Sequence, residues 1–243
     1  MDNVMIEAQN LKKSFGSLIV LDDLSFKLYK NEKLVVCGPS GCGKSTLIRC
    51  ICGLETVDSA TKFNFLGHQI KKENLNKYKG KIGIVFQSFN LFPHLTAINN
   101  VTLSPIKVLK RPKEEVIQES EALFEMVGLK KKMDSYPHQL SGGQQQRIAI
   151  IRSLAMKPEL MLFDEPTSSL DPELIKDVLN TLKDLAKSGM TMIVITHEMK
   201  FAEEVADRIA FFFEGKFTEI RPAKEFFKNP ETIECKKFLD HVL

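Results

Sequence analysis

The sequence of 243 residues predicts an α/β fold with a mostly parallel sheet, an N-terminal antiparallel β region and an inserted all-helical subdomain. Three observations predict it. Short runs bounded by turn residues, Val4–Ala8, Leu18–Leu21 and Leu24–Leu28, open the chain as β-rich sequence. Continuous apolar runs then recur at Leu34–Cys37, Ile82–Phe86, Leu160–Phe163 and Met192–Thr196, which fits strands buried on both faces of a parallel sheet. From about Ser88 to about Ser153 the pattern turns helical instead. Within it, residues 112–127 start with Pro112, carry acids early and stop before Gly128, with Val116, Leu123 and Val127 near one face.

The first chemical motif lies between the run at 34–37 and the helix-compatible stretch Thr46–Ile51. Gly38-Pro39-Ser40-Gly41-Cys42-Gly43-Lys44-Ser45 has the form G-x-x-x-x-G-K-[ST], a phosphate-binding loop, and it makes the core that of a P-loop NTPase. Glycines let backbone N–H groups turn inward around phosphates, Lys44 supplies a point charge, and the Ser45 hydroxyl can ligate Mg²⁺. Thr46 follows in the first turn of a helix whose N-terminus faces the phosphates. The ligands implied are ATP or another nucleoside triphosphate and Mg²⁺.

Each later apolar run ends in a polar residue suited to phosphoryl transfer. The run at 82–86 is followed by Gln87, that at 160–163 by Asp164-Glu165, and that at 192–196 by His197. In open α/β sheets ligands bind beyond the carboxyl ends of the strands, so these residues and the phosphate loop are expected at one edge. Taken singly, each merely terminates a strand. Together they divide the work of a reaction dominated by positioning and charge stabilisation. Asp164 would hold Mg²⁺ through a water and Glu165 would be the general base. Gln87 would offer its carbonyl oxygen to Mg²⁺ or to the attacking water. His197 would bond the γ-phosphate or orient the base. Phe15, before Gly16, can stack on the nucleotide base or sit in the core.

A second phosphate site is suggested by Leu140-Ser141-Gly142-Gly143-Gln144. Ser141 can cap the helix through Gln145–Ile150, and the glycines leave its N-terminal N–H groups open to an anion. Two such helix N-termini but one lysine-bearing loop make a dimer the economical reading, each nucleotide held between the loop of one protomer and the Ser-Gly-Gly turn of the other.

Composition narrows the class. With 34 basic and 31 acidic residues and a net charge of +3, nothing argues for nucleic acid, and Lys130-Lys131-Lys132 reads as a solvated face. No run approaches the roughly 18 apolar residues of a membrane span, and the first ten residues read as no signal peptide. Five cysteines, Cys37, Cys42, Cys50, Cys52 and Cys235, suit reduced thiols in a cytosol. Beside Lys44 and at a helix N-terminus, Cys42 is expected to favour thiolate, with shielding by the folded loop as the competing reading.

The set Gly38–Ser45, Gln87, Leu140–Gln144, Leu162-Phe163-Asp164-Glu165-Pro166 and His197 resembles, in order and spacing, the ATP-binding subunit of ABC transporters over essentially the whole chain. The resemblance implies ATP hydrolysis in a head-to-tail dimer, with a second ATPase protomer and integral membrane permease subunits as partners. It implies an indirect link to a solute-binding protein and a peripheral place on the cytoplasmic face of the inner membrane. It also makes Ser169-Leu170-Asp171 a loop communicating across the dimer interface and gives the region near Gln87 a groove for a helix of the membrane partner. The expected organisation is a single ATPase domain over 1–243, with a nucleotide core from 1–87 and 154–243 and a helical subdomain over 88–153. Gln87–Thr96, Gly142–Arg147, Thr196–Met199 and the tail Phe226–Pro230 with Phe238-Leu239 resemble polar amino acid importers. Another small transport or lipoprotein-release ATPase and a soluble ABC ATPase are the alternatives. No room for an extra C-terminal regulatory domain is expected. Three departures stand out: Ser169 where the family has alanine, Ala60 and Phe63-Asn64-Phe65 in place of a Gly-containing hairpin, and Glu219–Pro222 without a glycine.

Overall fold

The computed structural model describes residues 3–242, apart from the side chains of Lys72 and Asn74. They form two compact units, Met1–Tyr78 with Gly189–Leu243, and Lys79–Ser188. In the first unit β1 (Val4–Phe15) and β2 (Leu18–Tyr29) pair antiparallel. Leu24, Phe26 and Leu28 point inward while Ser25, Lys27 and Tyr29 point out, the period-2 pattern of a half-buried strand. Leu21 is buried as well, three residues before Leu24, and strict alternation would expose one of them. A local irregularity solves the phase. Asp23 and Asn10 both take positive φ (57° and 52°), and the Asn10 side-chain amide donates to the Asp23 carboxylate across the ladder. The two short strands expected over 18–28 are thus one bulged strand, and the first strand runs on past Ala8 to Phe15.

β3 (Lys33–Cys37) leads through the phosphate loop into α1 (Lys44–Ile51). β4 (Lys62–Phe65) and β5 (His68–Gln69) form a hairpin with a two-residue turn at Leu66-Gly67. The register Ile6↔Phe65 and Ala8↔Phe63 on β1 buries both phenylalanines. Phe63 and Phe65, part of the stretch that departs from the family's hairpin, therefore fix the register by which face they bury.

The second unit opens with β6 (Ile82–Val85), followed by α2 (Ala97–Lys107), α3 (Lys113–Met126) and α4 (Gly142–Leu154), then β7 (Leu160–Asp164) and α5 (Pro172–Lys187). β6 and β7 are parallel neighbours, in register from Ile82↔Leu160 to Val85↔Phe163. α3 starts beyond Pro112 and buries Val116, Ser120 and Phe124. The expected Leu123 is only half-buried, because the face turns by one residue toward Phe124. Asn100 is fully buried on α2 and satisfied at every atom. Its Oδ1 accepts from the Phe92 N–H, and its Nδ2 donates to the carbonyls of Phe92, Leu95 and Thr96.

The first unit resumes with β8 (Thr191–Ile195), α6 (Met199–Val205), β9 (Arg208–Phe213), β10 (Lys216–Pro222), α7 (Ala223–Lys228) and α8 (Ile233–Val242). β3 lies between β8 and β9, parallel to both, and β10 returns antiparallel to β9. A bulge at Phe217/Glu219 turns Glu219 inward to 5 % exposure. Its carboxylate accepts the Glu231 and Thr232 N–H groups and the Thr232 hydroxyl, tying down the entry to α8. Among the described residues no helix is long and apolar enough to cross a membrane.

Candidate nucleotide-binding site

In the first unit the phosphate loop has the expected strand–loop–helix setting, between β3 and α1. Two glycines are required by space as well as by conformation. At Gly38 (φ 147°) a Cβ would come within 2.1 Å of the Phe212 carbonyl oxygen, and at Gly43 (φ 112°) within 2.8 Å of Val20. Gly41 has nothing within 4 Å of where a Cβ would lie, so its backbone faces open space. Lys44 is only 4 % exposed, and its ammonium donates to the carbonyls of Gly38 (2.9 Å) and Pro39 (2.7 Å). The cation is therefore fixed inside the loop by the loop's own backbone. Ser40 is exposed, and Ser45 and Thr46 are half-buried in the first turn of α1.

Cys42 corrects the sequence expectation. Burial pushes its thiol up, and the pull of Lys44 in the opposite direction is smaller. Its Sγ lies 3.6 Å from the Phe212 carbonyl oxygen as a thiol donor. Shielding wins over the lysine and the helix N-terminus, and the protonated thiol is the resting form. Burial also pushes up Cys37, Cys50 and Cys235, Cys50 to about 12.

Phe15 ends β1 and is 46 % exposed, so it is no core aromatic. The Lys13 ammonium lies 4.7 Å from its ring centroid, held there by Glu55 and Asp58. Sequence reading missed this support, which only the fold assembles. His197 is exposed, two residues beyond the end of β8. Because β8 runs parallel beside β3, with Val36 opposite Ile195, His197 leaves the sheet at the same edge as the phosphate loop.

The second unit carries the other strand-end residues, and it brings them together as a pair. β6 and β7 are parallel, so Gln87 and Asp164-Glu165 emerge at one edge. Asp164 closes β7 at 5 % exposure. Glu165 takes φ 47°, an uncommon conformation for a non-glycine residue that the following turn stabilises. Both the N–H and the hydroxyl of Ser168 donate to the Glu165 carbonyl. Gln87 itself is exposed, and its carbonyl accepts the Ser169 hydroxyl at 2.6 Å. That bond was not legible in the sequence beyond the bare fact that Ser169 departs from the family's alanine.

Ser141 caps α4 as expected. Its hydroxyl accepts the Gln144 N–H and the Gln144 side chain accepts the Ser141 N–H, a reciprocal capping box. Gly142 and Gly143 form the first turn, where a Cβ would come within 3.0 Å of Leu170 and 3.2 Å of Leu174 respectively. These glycines let the helix start lie directly on the loop and helix that follow Glu165.

Among the described residues no group of three or more His, Cys, Asp or Glu side chains could hold a metal by itself. Mg²⁺ does not need such a group, since it takes one or two protein oxygens and completes its shell with phosphates and water. The Ser45 hydroxyl in the first unit and the Asp164 carboxylate in the second are each oxygens of that chemical type.

The sequence profile of the family described as "ABC transporter" matches residues 21–168. The chain belongs to the ABC transporter family. Like the family's ATP-binding subunits, it is an ABC-type ATPase. It is 49 % identical to the glutamine transport ATP-binding protein of Geobacillus stearothermophilus over 240 residues, covering 98 % of this chain and 99 % of that one. It is also 49 % identical to the glutamate/aspartate import ATP-binding protein of Escherichia coli strain K12, over 98 % of this chain and 100 % of the relative. Solved ABC structures share the fold. A component of an ABC transporter complex from Clostridium perfringens superposes with TM-score 0.84 at 26 % identity, covering 94 % of this chain and 92 % of that one. A dimeric ATP-binding cassette bound to ADP and phosphate gives 0.78 at 31 % identity, covering 90 % and 99 %.

Proposed function

We propose that the chain is the ATP-hydrolysing subunit of an importer for a polar amino acid, peripheral on the cytoplasmic face of the inner membrane. The observation that carries the ATPase reading is the phosphate loop, with Lys44 buried in it and spacing that only glycine satisfies at Gly38 and Gly43. The substrate class rests on relatives that are 46–49 % identical over nearly the full chain and are named for glutamine, glutamate, aspartate and cystine transport.

In this reading the loop from Gly38 to Thr46 takes the ATP phosphates and Phe15 takes the base. Ser45 and Asp164 hold Mg²⁺, Gln87 serves the metal or the attacking water, Glu165 takes the proton of that water, and His197 bonds the γ-phosphate or orients the base. Ser141 to Gln144 serve the nucleotide of a second copy of the chain, which makes the working form a dimer. The partition into a core of 1–87 with 154–243 and a helical subdomain of 88–153 is a functional proposal on the same footing.

A permease helix has a candidate seat within the second unit. A cavity of about 380 Å³ there is lined by Phe86, Asn90, Phe92, Ser104, Arg152 and Met156. Phe92, one of its lining residues, is 41 % exposed and lies on the loop that Asn100 holds. The test is reconstitution of the chain with its permease and solute-binding protein in proteoliposomes. ATP-dependent uptake of labelled glutamine, glutamate or cystine is the expected result. Recovery of the chain in the soluble fraction only, on ribosomes or DNA, would overturn it.

A further inference from the structure

The segment from Ile84 to Asn90 is held through its backbone carbonyls by side chains. Three donors come from α4. The Ser153 hydroxyl donates to the Ile84 carbonyl at 2.8 Å, and the Gln146 amide to that of Phe86 at 3.3 Å. The Arg152 guanidinium donates to both Phe89 and Asn90, at 3.2 and 2.6 Å. These contacts fix the segment on either side of Gln87. Gln87 itself is held from elsewhere, by the Ser169 hydroxyl in the loop between β7 and α5.

That loop starts at Glu165 and is braced within itself. Ser168 donates twice to the Glu165 carbonyl, and the Leu170 N–H donates to that of Thr167. Packing holds the junction from both sides. A Cβ on Gly142 would lie 3.0 Å from Leu170 and 3.3 Å from Phe89, the near neighbours of Ser169 and Gln87. The hydroxyl therefore ties two strand-end loops, one bearing Gln87 and the other Glu165, at a place with little room to shift. An alanine side chain has no donor to make the tie.

We propose that Ser169 is a positioning residue, its hydroxyl fixing the Gln87 main chain relative to the Glu165 loop and thereby the direction in which the Gln87 side chain leaves it. The proposal rests on the role given to Gln87 above. One neutral hydrogen bond contributes about 0.5–1.5 kcal/mol net, which corresponds to a change in rate of about two- to twelvefold.

Steady-state hydrolysis of Mg-ATP by the purified full chain tests it in a double-mutant cycle. Ser169→Ala lowers kcat about two- to twelvefold, with KM for ATP close to wild type and the unfolding temperature lowered by only a few degrees. Ser169→Thr, which keeps the hydroxyl, restores kcat. In a Gln87→Ala background, Ser169→Ala costs nothing further, because the side chain it positions is gone. Wild-type kcat in Ser169→Ala, failure of threonine to restore it, or the same loss with and without Gln87 would each overturn the proposal. Absence of hydrolysis in the wild-type chain would instead defeat the reading of the site.

Discussion

Lys44 spends its three donors on acceptors within its own loop: the carbonyls of Gly38 and Pro39, with Cys42 Sγ at 3.8 Å. A phosphate would meet this charge already in place. Lys44→Ala removes a charge-assisted contact of about 1.5–3 kcal/mol, so ATP affinity should fall at least about tenfold, measured by titration with a fluorescent nucleotide. An unchanged affinity would count against this loop as the phosphate site. Cys42 belongs to the same loop but not to its reactivity. Its thiol is held above the ordinary value of 9.0, so the thiolate fraction at pH 7 is small and grows tenfold per pH unit until the pKa is passed. Maleimide labelling followed by mass spectrometry should therefore be slow on Cys42 at pH 7 and climb steeply to pH 9 and above. Fast labelling at pH 7 would restore the reactive-thiolate expectation.

At the scale of elements, legibility in the sequence followed the range of the interaction. The phosphate loop, the Ser141 cap and the Pro112 start of α3 are each set by residues a few positions apart, and each is where the sequence puts it. The sequence around Asp23 has the pattern of two strands because the bulge that joins them depends on Asn10, thirteen residues away across the ladder. Lys13 beneath Phe15 and Ser169 on Gln87 are longer-range still, and no local pattern announces them. Glu219 shows the same limit. A missing glycine in the sequence is, in the fold, a buried carboxylate at the N-terminal approach to α8. Burial alone raises its pKa, but donors from Glu231, Cys235 and Thr232 outweigh that and leave it below the ordinary value. A depressed folded pKa gives stability that is present above the unfolded value and is lost as pH falls through the folded one. Glu219→Gln should thus lower stability by about 1–3 kcal/mol at pH 7. The gap from wild type should close below about pH 4, as the wild-type carboxyl protonates. Thermal unfolding across that range checks it, and a gap that widens toward acid would contradict the assignment.

For the whole molecule, ATP binding and ATP hydrolysis should be separable. In the proposed reading, binding belongs to the phosphate loop and to the Ser141–Gln144 turn of a second copy, chemistry to Glu165 beyond β7. The strained φ of 47° at Glu165 is consistent with that division, since a residue in such a conformation is kept there by its surroundings. Glu165→Gln preserves size and hydrogen bonding while removing the base. Turnover of Mg-ATP by this variant and its size by gel filtration with Mg-ATP form the most direct measurement. The expected result is hydrolysis reduced by about 10²- to 10⁴-fold, ATP still bound, and a dimer held together by it. A variant that stays monomeric and turns over like wild type would contradict it.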